Sequence, residues 1–244
     1  MLKSPTNPKG TRDFLPLELS KRNYIINVLK KNFKNFGFSE IETPALEKNS
    51  TLLGKYGNEG DRLVFKILNS GDKVKKADIN SLKSNDLSSF TKSLSEKGLK
   101  YDLTVPLARF VSQHQNEITF PFKRFQIQNV WRADRPQHGR FQEFTQCDAD
   151  VIGNQSIIQE IELIKLYDSV FSQLGFNDLV FKINHRSILK GLANHFGAND
   201  NLIDFITALD KLDKIGLDKV IEEIKYLVKG ISVNELKKLL SERD

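Results

Sequence analysis

Two stretches of this chain alternate polar and apolar residues with a period of two, and only the loop ADRPQHGRFQE separates them. In Arg124–Arg132, Phe125, Ile127 and Trp131 fall on one face and Gln126, Gln128 and Arg132 on the other. In Phe144–Ile152, Thr145, Cys147, Ala149 and Val151 share one face, and Phe144, Gln146, Asp148 and Asp150 share the opposite one. Period two is the mark of a strand, because successive side chains point to opposite sides of the pleat. Pro136 and Gly139 break the intervening segment. The pattern predicts an antiparallel hairpin with a long basic tip.

The polar face of this hairpin has two readings. An antiparallel sheet can leave one face wet, so the face can be a charged surface. Alternatively it is a phosphate or nucleotide site. Phe144 lies on it, and the loop before it carries Arg132, Arg135 and Arg140 within nine residues. Guanidinium groups bind phosphate through fixed, bidentate donors. Carboxylates on the same floor suit an ammonium group, and an exposed Phe suits a stacked base.

The rest of the chain reads as helices and short strands. The first 16 residues, rich in Pro, Gly and Lys, suggest an extended arm. From Ser20 the pattern becomes helical, with Ile25, Leu29, Phe33 and Phe36 on one face and Gly37 as a stop. Phe38–Glu42 reads as a short strand ended by Thr43–Pro44. Residues 69–100, rich in Ser, Lys, Asn and Asp, read as a mobile polar insertion at the surface. A helix is expected over Gln155–Leu174, buried through Ile157, Ile161, Ile164, Phe171 and Leu174. Leu179–Ile183 reads as a strand. Short helices follow Asn184, broken near Gly197, Gly216 and Lys229–Gly230.

Composition narrows the classes. The single cysteine, Cys147, excludes an internal disulfide framework and reads as a small core residue, and Trp131, which shares a face with Phe125 and Ile127, reads as core. His114, His138, His185 and His195 lack metal-ligand spacing, so no side-chain metal site is predicted. The net charge of +6 permits a polyanionic partner. No apolar run approaches the roughly 18 residues of a membrane span. The expected location is cytoplasmic.

The stretch RFQIQNVWRADRPQHGRFQEFTQCDADVIG resembles motif 2 of class II histidyl-tRNA synthetases over its whole length. GFSEIETPALE resembles the motif 1 region of that family, PKGTRDFLP its N-terminal signature, and YDLTVPLARF the segment between the motifs that contacts substrate. The four matches occur in the family's order across residues 8–153. The resemblance implies an α/β (α+β) architecture: an antiparallel sheet flanked by helices over residues 1–184, then the start of a helical insertion over 185–244.

The same resemblance implies roles. Arg132 would hold the ATP α-phosphate as the catalytic cation, Asp134 would lie near the adenine, Arg140 would reach the γ-phosphate and Phe144 would stack on the base. Asp102 and Thr104 would contact the histidine amino group, with Gln146 and Asp150 completing the histidine pocket. Gln137 would lie near the end of the tRNA acceptor stem, and Pro44 in a dimer interface. The implied substrates are L-histidine, ATP with Mg²⁺, and tRNA(His), and the implied assembly is a homodimer. The family's later histidine-specific loop, motif 3 and anticodon-binding domain have no counterpart here, so the sequence reads as a truncated chain. A second function, the synthetase-like regulatory subunit of ATP phosphoribosyltransferase in histidine biosynthesis, shares the fold. It is disfavoured because Arg132, Gln137, Arg140 and Phe144 are all present. A third, a nucleic-acid-binding fragment without catalysis, rests on charge alone.

Overall fold

Helix α1 (Pro16–Asn35) begins at Pro16 rather than at Ser20. Proline suits the first helical turn, where its missing N–H would have no partner, and Glu18 adds an acid at the positive end of the helix. Gly37 (φ 79°) stops the helix. The Gly37 N–H donates to the Lys34 carbonyl and the Phe38 N–H to that of Phe33, so the left-handed residue turns Phe38 back onto Phe33.

The computed structural model describes residues 5–228 and 230–241, so the predicted break at Lys229 lies outside the described residues. The chain divides into two compact units, Met1–Leu179 and Val180–Asp244.

In the first unit α1 is followed by β1 (Ser39–Glu40), β2 (Leu46–Lys48), α2 (Asn49–Leu52), α3 (Gly57–Arg62), β3 (Lys66–Ile67) and a 3-10 turn (Gly71–Lys76). Then come α4 (Ile79–Lys83), α5 (Leu87–Leu94), β4 (Lys97–Leu99), α6 (Thr104–His114), β5 (Phe122–Trp131), β6 (Glu143–Ile152) and α7 (Ile158–Gln173). The main sheet has the order β1-β5-β6. β5 and β6 pair antiparallel from Phe122↔Ile152 to Trp131↔Glu143, and β1 runs parallel to β5. A smaller antiparallel sheet has the order β2-β4-β3. Phe125, Ile127, Ala149 and Val151 point to one side of the main sheet and pack on α1 and α7 with Phe33, Phe38, Leu166 and Val170. Phe125 is fully buried and stacks on Phe33 with centroids 4.9 Å apart.

Five expectations are corrected. The polar stretch 69–100 carries regular structure. Asp78 and Asp86 cap α4 and α5 by accepting from the Ser81 and Ser89 N–H groups, and β4 is the central strand of the small sheet. α7 buries Leu163, Leu166, Val170 and Leu174, whereas Ile157 and Ile161 are exposed. The helix has two apolar stripes, and the sheet covers the other one. Leu179–Ile183 forms no strand; among the described residues it has no ladder partner, and Val180 and Ile183 are exposed. Cys147 does share the face of Ile127, but it is exposed. α1 and α7 cover the base of that face and leave a groove of about 560 Å³ towards the tip, lined by Ile25, Leu29, Ile127, Thr145 and Cys147. Trp131 is only partly buried.

The second unit contains α8 (Arg186–His195), a 3-10 turn (Asn199–Asn201), α9 (Leu202–Asp210), α10 (Leu212–Ile215), α11 (Leu217–Leu227) and α12 (Val233–Ser241). Its own core centres on Phe205, Val220, Ile224 and Leu236, each fully buried. Among the described residues no helix is long and apolar enough to cross a membrane.

Phe125 joins the helical layer to the sheet. Phe125→Ala is expected to lower stability by about 3–5 kcal/mol, the range for emptying a packed aromatic site. Chemical denaturation monitored by circular dichroism measures this, and a loss below about 1 kcal/mol would contradict the packing described.

Candidate active site

The β5–β6 register sets the other face of the hairpin. Arg124 lies opposite Asp150, Gln126 opposite Asp148, Gln128 opposite Gln146 and Val130 opposite Phe144. The base of this face is not a wet surface. Arg124 and Gln126 are fully buried and joined by hydrogen bonds into a ladder of polar side chains. Arg124 Nη2 and Asp150 Oδ2 form an ion pair at 2.5 Å, off the line of a hydrogen bond. Arg124 Nη1 donates to Gln126 Oε1 (3.3 Å), and Gln126 Nε2 donates to Thr43 Oγ1 (2.8 Å) and Gln128 Oε1 (2.5 Å). Lys100, 1% exposed, ends the ladder by donating to Gln128 Oε1 (2.7 Å) and the Thr43 carbonyl (3.0 Å).

Asp102 reaches the site from the loop before α6. It accepts from the Val105 N–H (3.2 Å) and from the Tyr56 hydroxyl (2.8 Å). Burial, and then the charge of Asp102, push the Tyr56 pKa above its ordinary value, so Tyr56 stays a neutral donor. Tyr101 packs on Tyr56, and its carbonyl accepts from Arg132 Nε (3.2 Å). The Arg132 guanidinium lies 4.5 Å from the Tyr101 ring centroid and 5.1 Å from that of Phe144. Burial raises the Asp148 pKa; Arg124 opposes the shift, Asp150 and Asp102 add to it, and Arg132 opposes it.

The tip holds a second compartment. Arg132, Asp134, Gly139, Arg140, Phe141 and Phe144 line a cavity of about 240 Å³. Asp134 pairs with Arg140 and accepts from the Arg135 N–H. The extended N-terminal segment buttresses the loop. The Gly10 carbonyl accepts from the Gln142 N–H (2.7 Å), and a Cβ on Gly10 would lie 2.7 Å from the Gln142 side chain. Arg12 lies over the Phe14 and Phe141 rings.

The predicted residues therefore fall into three groups. Arg132, Asp134, Arg140 and Phe144 share the tip cavity. Asp102, Gln146 and Asp150 gather around the polar floor, where Gln146 Oε1 is buried and accepts no hydrogen bond among the described residues. Thr104 is exposed in the first turn of α6, Gln137 is exposed at the loop apex, and Pro44 is exposed next to buried Thr43. Sequence reasoning missed Arg124, Tyr56 and Lys100. Among the described residues no group of three or more His, Cys, Asp or Glu is arranged to hold a metal ion.

The pattern that describes the histidyl-tRNA synthetase family matches residues 81–242. The chain belongs to that family. It is 60% identical over 98% of its length to a histidine–tRNA ligase of Christiangramia forsetii and covers 52% of that protein. It is similar to the crystal structure of histidyl-tRNA synthetase from Nostoc sp. PCC 7120, with TM-score 0.74, 28% identity and coverage of 96% of this chain and 47% of that one. A structure described as an ATP phosphoribosyltransferase regulatory subunit/histidyl-tRNA synthetase, from Bacillus halodurans C, shares the fold at 23% identity and TM-score 0.73, covering 98% of this chain and 57% of that one. The chain spans about half the length of the curated relatives it matches. Its small sheet flanked by helices is the class II synthetase fold.

Lys100 yields a pH prediction for this synthetase-family chain. Burial lowers its pKa from 10.5 to about 8. Between about pH 8 and 10.5 the unfolded chain therefore binds a proton that the folded chain has released, and folding stability rises with pH. The stability of the wild type relative to Lys100→Met should increase across this window. Paired urea denaturation at pH 7.5 and 9.5 measures the difference, and a flat difference would show that the lysine is not buried as described.

Proposed function

We propose that this chain carries the ATP and histidine sites of a histidine–tRNA ligase, which forms histidyl-adenylate and passes the histidine to tRNA(His). One observation carries this reading. One face of the hairpin, with Asp102 added from the loop before α6, presents an acidic floor of Asp102, Asp148 and Asp150 around Arg124 and Arg132, beside a cavity walled by Phe144 and Arg140. Three carboxylates against two guanidiniums leave the floor one positive charge short of neutral, which suits a ligand ammonium. Gln146 Oε1 offers an acceptor to an imidazole N–H.

In this reading ATP, taken as its Mg²⁺ complex, stacks its base on Phe144 and directs its phosphates to Arg132 and Arg140. The histidine amino group meets Asp102, Thr104 and Asp150. The histidine carboxylate attacks the α-phosphorus, the α–β phosphoanhydride bond breaks, and pyrophosphate leaves. Arg132 stabilises the charge that builds on the phosphorus oxygens, and no protein nucleophile is required. The terminal ribose hydroxyl of tRNA then attacks the acyl carbon and AMP leaves. Gln137, at the exposed loop apex, contacts the acceptor end. Pro44 lies in the interface of a homodimer, and the protein acts in the cytoplasm.

Histidine-dependent ATP–pyrophosphate exchange tests the proposal in the protein as encoded. Arg132→Ala is expected to lower kcat by about 10²–10³-fold, the range for removing one transition-state donor. No exchange by the wild type, together with tight binding to ATP phosphoribosyltransferase, would favour the regulatory-subunit reading that the shared fold leaves open.

A further inference from the structure

We propose that Arg124 is a positioning residue, which fixes the carboxylate of Asp150 so that one oxygen is committed to the protein and the other is presented to the amino-acid substrate. This rests on the function proposed above and adds to it a role for the buried cation beneath the floor. The pair is asymmetric. The Arg124 side chain is fully buried, whereas that of Asp150 is 37% exposed. Asp150 Oδ2 is sealed against Arg124 Nη2 at 2.5 Å, and Oδ1 accepts from no donor among the described residues.

Arg124 is itself held in place. Nη1 donates to Gln126, which is anchored to Thr43 and Gln128, and Lys100 closes the other end of the ladder. The guanidinium therefore reports the position of the β5 backbone, and Asp150 inherits that position across the strand pair. Its cation also offsets the repulsion among Asp150, Asp148 and Asp102, the three acids that face it. A carboxylate so clamped presents its free oxygen with little side-chain freedom left to lose when a ligand binds.

The test is a set of variants assayed by ATP–pyrophosphate exchange in the protein as encoded. Arg124→Met should raise the KM for histidine by about ten- to a hundredfold, as expected for a misplaced charged hydrogen-bond partner, and leave the KM for ATP nearly unchanged. Arg124→Lys, which keeps the cation, should recover part of the loss. Asp150→Asn should raise the histidine KM similarly, and Arg124→Met added to it should change that KM little further. The double variant removes both members of the pair, and urea denaturation of all four variants separates positioning from folding. If Arg124→Met raises both KM values together, or adds in full to Asp150→Asn, Arg124 is structural and the proposal is wrong. If the wild type itself shows no histidine-dependent exchange, the proposed function fails and this proposal with it.

Discussion

The register of the β5–β6 ladder is the constraint on which the rest of this unit depends. A slip of β6 by one residue would turn Ala149 and Val151 out of the core and carry Asp150 and Gln146 into it. Several contacts oppose that slip. The stack of Phe125 on Phe33 anchors the apolar face. Arg124 and Asp150 fix opposite positions at the base of the polar face. Towards the tip, Thr145 Oγ1 donates to Asn129 Oδ1 (2.6 Å) and Asn129 Nδ2 donates to Glu143 Oε1 (3.0 Å). Beyond the last pair, the Gly10 carbonyl holds Gln142 and keeps the loop in line with the strands. Core and site are thus two sides of one hydrogen-bonding pattern.

The polar ladder beneath the site has an energetic cost that packing alone would not repay. Burying Arg124, Gln126 and Lys100 removes charged and amide groups from water, and only their mutual hydrogen bonds and the Asp150 pair compensate. Compensation is incomplete: Arg124 Nε and Gln146 Oε1 are buried without partners among the described residues. Each such group costs about 1–3 kcal/mol. The arrangement is intelligible as a rigid support for a ligand that supplies some of the missing interactions, because a clamped carboxylate and an open amide acceptor cannot relax towards each other.

What the sequence made legible was local. The alternation in Arg124–Arg132 and Phe144–Ile152 fixes the two faces whatever surrounds them, so the hairpin and the grouping of Phe144, Gln146 and Asp150 could be read directly. The buried stripe of α7 could not. The helix offers two apolar stripes, and the sheet, not the helix, selects Leu166 and Val170 over Ile157 and Ile161. Residues 69–100 looked like a loop because they contain few large apolar side chains. Their order comes from aspartate caps and from pairing of Lys97–Leu99, neither of which requires a hydrophobic run. Arg124 follows the period of its strand, but a charged strand residue reads as surface until the cross-strand register puts Asp150 beside it. Tyr56 is distant in sequence from Asp102, and only the fold brings the hydroxyl to the carboxylate.

The order of charges along the polar face bears on how two substrates would be arranged on it. Asp150 and Asp148 lie at the base, Gln146 follows, and Phe144 and the arginines lie towards the tip. From Asp150 to Phe144 the strand rises about 20 Å, at roughly 3.4 Å per residue. An ammonium is drawn to the base and a polyphosphate to the tip, so an amino acid and a nucleotide on this face would lie end to end with carboxylate towards phosphate. Arg132 is rooted at the tip, but its guanidinium lies against Tyr101 and Phe144, close enough to the floor to oppose the rise that burial imposes on the Asp148 pKa. That places a fixed cation between the two compartments, where the proposed reaction would build its negative charge. A charge pattern written along the strand pair and its tip loop would thus orient both substrates.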